Sequence, residues 1–171
     1  MPFHARRFAN VLLVLAATTP LWAQADVKAA FLKHLKTSRD FTLKVAEQMP
    51  EASYNFKLTP PQMSFADQMV HLSQALTFYV APFSGQAATP AKPASLNKKD
   101  VIAFITKSYD DAIQVVSKIT PDQISKTYKS EEGTETGLEL LMGMLDHCTH
   151  HRASAEMYLR AKGITPTEYQ F

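Results

Sequence analysis

The sequence predicts an all-α protein: a four-helix bundle with long loops, preceded by a signal peptide. Three observations predict it. Four segments of the 171-residue chain repeat apolar residues at helical spacing, and almost nothing reads as strand. Most of the proline falls in the stretches between those segments. A short apolar run near the N-terminus is followed, a few residues on, by a small-x-small tripeptide.

Residues 1–25 carry the marks of a secretory signal. Arg6 and Arg7 form a positive start, Val11 to Ala17 is the apolar stretch, and Ala23-Gln24-Ala25 is the cleavage pattern. The domain is expected over 26–171, with the mature chain beginning at Asp26. The competing reading is an uncleaved anchor or a buried first helix. The apolar run is far short of the roughly 20 residues of a membrane span, so no membrane association is expected after cleavage. A periplasmic or secreted location follows.

The first helix is expected over Val27 to Met49. Phe31, Leu35, Phe41, Val45 and Met49 mark a stripe with some drift, and Pro50 stops it. The second is expected over Phe65 to Val80. Ser64 and Asp67 resemble a capping box, and Phe65, Met69, Leu72, Leu76 and Tyr79 follow at 4-3-4-3 spacing. The third is expected over Lys98 to Ile119, with Asn97 as its N-cap. Ile102, Ile105, Tyr109, Ala112, Val116 and Ile119 give it the regular seam of a bundle helix. The fourth is expected over Glu135 to Lys162, ending at Gly163. Its seam reads Leu138, Leu141, Leu145, Cys148, Arg152, Ala155 and Leu159, with a second row at Leu140, Met144 and Tyr158.

The connections are 50–64, 81–97 and 120–134. Fully extended, 81–97 could reach about 55 Å, against about 24 Å for a 16-residue helix. It is long enough to run the length of the bundle and let the second and third helices lie parallel.

Charge excludes some functions. The chain has 18 Lys+Arg against 16 Asp+Glu. Removing 1–25 takes away two Arg and no acid, so the remainder balances at zero. No basic stripe supports nucleic-acid binding. One cysteine, Cys148, allows neither an internal disulfide nor a multi-cysteine zinc site. No Gly-rich phosphate loop, H-E-x-x-H, paired E-x-x-H or C-x-x-C-H is present.

The histidines carry the remaining signal. Five lie after residue 25: His34, His71, His147, His150 and His151. His147 and His151 are four apart and share a helix face, as two ligands of one cation must. His150 is rotated about 100° from His151. A further ligand must come from another element. His71, at the margin of the second helix's stripe, is the better candidate, and His34 the alternative. The competing reading is surface or capped core histidines. Cys148 reads as a packed seam residue. Asp67, one turn before His71, could orient that imidazole or serve as a helix-start charge. Tyr158, Phe78 and Tyr79 could line a pocket or sit in the core.

Three stretches carry a family resemblance. They are Glu47 to Val70, His71-Leu72-Ser73, and Leu145 to Pro166 (LDHCTHHRASAEMYLRAKGITP). Together they resemble the DinB-like metal-binding four-helix bundles, across nearly all of 26–171. The resemblance implies a His71, His147, His151 triad holding a divalent metal ion (Zn, Ni or similar) with positions open to water. It also implies an unknown small molecule as partner, and a homodimer in many relatives. Ala153-Ser154 stand where the family often has Gly-Gln. The expected function is an exported metal-binding protein with metal-dependent hydrolase or transferase activity. Some relatives are thiol transferases, but those use intracellular thiols, and this chain carries an export signal. The alternative is a non-catalytic metal-binding or stress-related bundle.

Overall fold

The computed structural model describes residues 20–85, 87–130 and 133–170, with side chains from residue 27 onward, Ser130 apart. Residues 1–19 of the expected signal segment lie outside the described residues. The elements are α1 (Pro20–Gln48), a 3-10 turn (Glu51–Ser53), α2 (Phe65–Ser84), α3 (Lys98–Lys118), α4 (Pro121–Ser125), β1 (Thr127–Ser130), β2 (Gly133–Thr136) and α5 (Gly137–Ala161). α1 begins before Asp26 and runs across the expected cleavage point. No described helix is long and apolar enough to cross a membrane.

Four long helices form the bundle. α1 packs on α3 and α5, and α2 packs on the same two, so α1 and α2 stand diagonally. Hydrogen bonds between element ends set the directions. Nζ of Lys98, at the start of α3, donates to the carbonyls of Glu47 (2.6 Å) and Met49 (2.9 Å) at the end of α1. The start of α2 lies at the same end, where Ala66 N donates to Tyr54 O and Tyr54 Oη donates to Ala46 O. At the opposite end Gln123 Nε2 donates to Phe83 O, and Lys28 Nζ to Ile119 O. α2 and α3 therefore run parallel, and the 85–97 connection returns along the length of the bundle. α5 runs against both. Tyr158 Oη near its end donates to Met63 O, just before α2.

Capping places the helix starts. Ser64 with Asp67, Thr120 with Gln123, and Thr136 with Glu139 each form a reciprocal box, so backbone N–H groups at each start are satisfied by side chains. α2 continues past the expected end at Val80 and carries Pro82 inside it. Burial of Ala81 and Phe83 holds this last turn despite the missing N–H, and Gly85 (φ 68°) ends the helix in the left-handed conformation.

The 120–134 connection is not the loop the sequence suggests. α4 and an antiparallel hairpin occupy it, with Thr127 opposite Thr136 and Tyr128 opposite Glu135. Glu135 is thus in β2, and α5 starts two residues later. Gly137 N donates to Lys126 O, and a Cβ at Gly137 would lie 2.1 Å from the Gln123 carbonyl oxygen. Only glycine fits that approach.

On α1 the drift in the apolar stripe has a cause. Phe31, Leu35, Ser38, Thr42, Val45 and Met49 are all buried and repeat at 4-3-4-3-4. The two hydroxyls serve a buried cation. Arg152 of α5 donates from Nη1 to Ser38 Oγ (2.9 Å) and Thr42 Oγ1 (3.5 Å), and from Nη2 to Thr149 Oγ1 (3.2 Å). Its guanidinium also lies over the Phe41 ring. Tyr109 Oη of α3 shares hydrogen bonds with the same Ser38 and Thr42. α5 buries Leu140, Leu141, Met144, Cys148, Arg152, Ala155, Tyr158 and Leu159. Leu138, expected on the seam, is exposed, and Leu145 is only partly buried. Both lie on the flank of α5 turned away from the row that meets α2.

Candidate metal centre

The capping box at Ser64 fixes the phase of α2. Phe65, Met69, Leu72 and Leu76 enter the core, and His71, one step before Leu72, emerges half-buried at its edge. On α5 the Thr136 cap sets Leu140, Met144 and Cys148 inward, so His147 and His151 project side by side toward α2. Antiparallel packing of the two helices then brings the three imidazoles together. Ring centroids are 5.1 Å apart for His71 and His147, 4.5 Å for His71 and His151, and 4.6 Å for His147 and His151. One nitrogen from each lies within 4.8 Å of the others. Imidazoles this close could share one ion at the ~2.0–2.1 Å of a metal–imidazole bond.

Two polar details bear on what the cluster can hold. Nδ1 of His151 is 2.6 Å from Oε1 of Gln68, one turn before His71. An amide oxygen only accepts, so Nδ1 carries the proton and Nε2 keeps its lone pair. Nε2 of His147 is buried with no hydrogen-bond partner. A buried nitrogen left unpaired needs an explanation, and an ion shared with its neighbours supplies one.

Electrostatics keep the two α5 rings uncharged. Burial, then the fields of His147, His71 and His150, push His151 down to about 4. Burial, then His71 and His150, lower His147 as well. At neutral pH both are free bases, the form that ligates metal.

His34 on α1 is not among the three grouped histidines. His150 is exposed and touches only the edge of the group, its ring at 90° to that of His151. Asp67 is occupied by the helix start: its carboxylate accepts from Ser64 N and Ser64 Oγ. The outer contact suggested for Asp67 is made by Gln68 instead, and to His151 rather than His71. No spacing rule distinguishes a helix glutamine in this role from any other polar surface residue. Cys148 is fully buried, and burial pushes its thiol up to about 11, so it packs and does not react. Tyr158 is a core residue, packed edge-on against Phe56 and Phe65.

A cleft of about 790 Å³ opens from His71 and His147, within the usual size range of small-molecule sites. Phe78 and Tyr79 line it, as the sequence allowed. The ring of Tyr79 stands 6.0 Å from that of His147. Its Cε1 would be 3.0 Å from a Cβ at position 143, so the small Gly143 lets the tyrosine lie against α5. The returning strap is fastened nearby, where Gln74 Nε2 donates to Ala91 O.

Comparison with known proteins agrees with this architecture. The solved structure of a DinB-like protein from Bacillus subtilis is 18% identical, with a TM-score of 0.71, covering 82% of this chain and 96% of that one. A DinB-like protein from Bacillus cereus ATCC 10987 is 15% identical, with a TM-score of 0.73, covering 83% and 97%. No curated protein matches the chain. The sequence model of the DinB family matches residues 23–171. The chain belongs to the DinB family.

Proposed function

We propose that the chain is an exported protein that holds one divalent metal ion on His71, His147 and His151 and acts on a small molecule in the adjoining cleft. The observation that carries this reading is the orphaned Nε2 of His147, on a ring that shares with His71 and His151 a group of nitrogens no more than 4.8 Å apart. Leaving such a group unpaired costs about 1–3 kcal/mol, and ligation removes the cost. Three imidazole ligands suit zinc, nickel or a similar borderline ion. Such an ion, when bound, supplies Lewis acidity to a donor atom entering from the cleft. Gln68 orients His151, and the apolar wall of the cleft excludes water around the bound molecule. Hydrolase or group-transfer chemistry is the activity this arrangement favours. The N-terminal segment supports export to the periplasm or beyond, which separates the chain from intracellular thiols and disfavours thiol transfer.

One observation favours a non-catalytic metal-binding bundle. Among the described residues no carboxylate joins the three histidines within 4.8 Å. Metal analysis of untagged protein tests the main reading. The expected result is stoichiometric metal, lost in His147→Ala. Metal-free protein whose melting is unchanged by His147→Ala would leave only a packed bundle. Turnover of esters that chelation abolishes would favour the enzyme over the scaffold. Sequencing of the exported protein's N-terminus should begin at Asp26.

A further inference from the structure

The histidines occupy only one end of the cleft. From His71, α2 carries Ala75, Phe78 and Pro82 along it, and Leu140 of α5 lines it as well. His71 to Pro82 is ~16 Å of helix at 1.5 Å per residue. At the far end the Phe83 and Tyr128 rings meet at 5.3 Å, which seats the hairpin over the last turn of α2. Lys129 and Glu135 line the cleft there. Along its length the surface therefore changes from imidazole nitrogen, through a mainly apolar wall, to a charged mouth.

We propose that the cleft takes an elongated apolar monocarboxylate, its head at the three histidines and its chain along Ala75, Phe78 and Pro82 toward the hairpin. At ~1.3 Å per extended carbon, the wall accommodates a chain of about 8–12 carbons. The inference rests on the metal reading for the head group, because a carboxylate oxygen is a ligand for the ions that three imidazoles select. It rests on the cleft alone for the chain. The mouth bears charges of both signs, so it offers a terminal carboxylate no net attraction.

Calorimetry of straight-chain carboxylates, butanoate to dodecanoate, on the untagged zinc-loaded protein tests it. Affinity should rise about 3- to 4-fold per methylene up to decanoate and then level off. Phe78 is 45% exposed, so Phe78→Ala should fold normally. It should weaken decanoate about 10-fold and leave butanoate unchanged. Ala75→Leu, ~6 Å of helix beyond His71, should move the plateau to shorter chains at unchanged zinc content. His147→Ala should weaken every length. Length-independent binding by zinc-loaded protein overturns this inference and leaves the metal reading standing. So does binding that Lys129→Gln abolishes and His147→Ala leaves intact. Protein that takes up no zinc overturns the metal reading, and the head-group placement with it.

Discussion

Gln68 and His151 are 83 residues apart in sequence, and Oε1 of one lies 2.6 Å from Nδ1 of the other. The contact occupies Nδ1 of His151 and leaves Nε2 as its free lone-pair nitrogen. Outer hydrogen bonds of this kind contribute about 10- to 100-fold to metal affinity. Gln68→Ala should weaken zinc binding by that order with little change in metal-free melting temperature. Gln68→Glu should retain affinity, since a carboxylate accepts the same proton. Competition against a chromophoric chelator measures both.

The histidines are not equivalent. His71→Ala and His147→Ala should each reduce bound metal from about one equivalent to near none, because two remaining imidazoles make a poor site. His34→Ala and His150→Ala should leave the content unchanged. Elemental analysis of untagged protein separates the two pairs.

Removing the ion should lower stability by mass action. At a hundredfold excess of metal over its Kd the ion adds about 2.7 kcal/mol, or about 5–10 °C in melting temperature for a chain of this size. A thermal scan with and without chelator should show that difference. An unchanged midpoint would mean the folded chain holds no ion.

Acid should destabilise the metal-free protein. His151 is lowered to about 4 in the folded chain, against about 6.5 when unfolded. Between those values the unfolded chain binds the extra proton, so stability rises with pH across the window and is lost as pH falls through it. His147, also lowered, acts in the same direction. Urea midpoints of the chelated protein should fall from pH 7 to pH 4.5, and less steeply in His151→Gln.

Arg152 is 5% exposed; it donates to the Ser38, Thr42 and Thr149 hydroxyls and lies over the Phe41 ring. Arg152→Met keeps the packing but removes the donors. It should cost about 2 kcal/mol, the order of one hydrogen bond to a charged group. Arg152→Lys should also destabilise, since an ammonium cannot reproduce the planar fork. Urea denaturation reads both changes.

Much of this was legible in the chain itself. The stripe 65-69-72-76 with its Ser64 cap is local and periodic, and it placed His71 correctly at the edge of the core. The i,i+4 spacing of His147 and His151 likewise survived folding intact. Other features depend on distant partners. Ser38 and Thr42 interrupt a hydrophobic pattern because their partners, Arg152 and Tyr109, lie more than sixty residues away. The hairpin strands, four residues each, are too short and polar to show a period. Gln68 gives no signal until α5 is laid beside it.

The strap after Gly85 has a further consequence. His71 lies before it, and His147 and His151 after it. A protease that nicked the strap would leave two fragments, neither holding a complete coordination set. Their reassociation would become bimolecular, and the divalent ion would act as a rivet between them, so complementation of the severed halves would be metal-dependent.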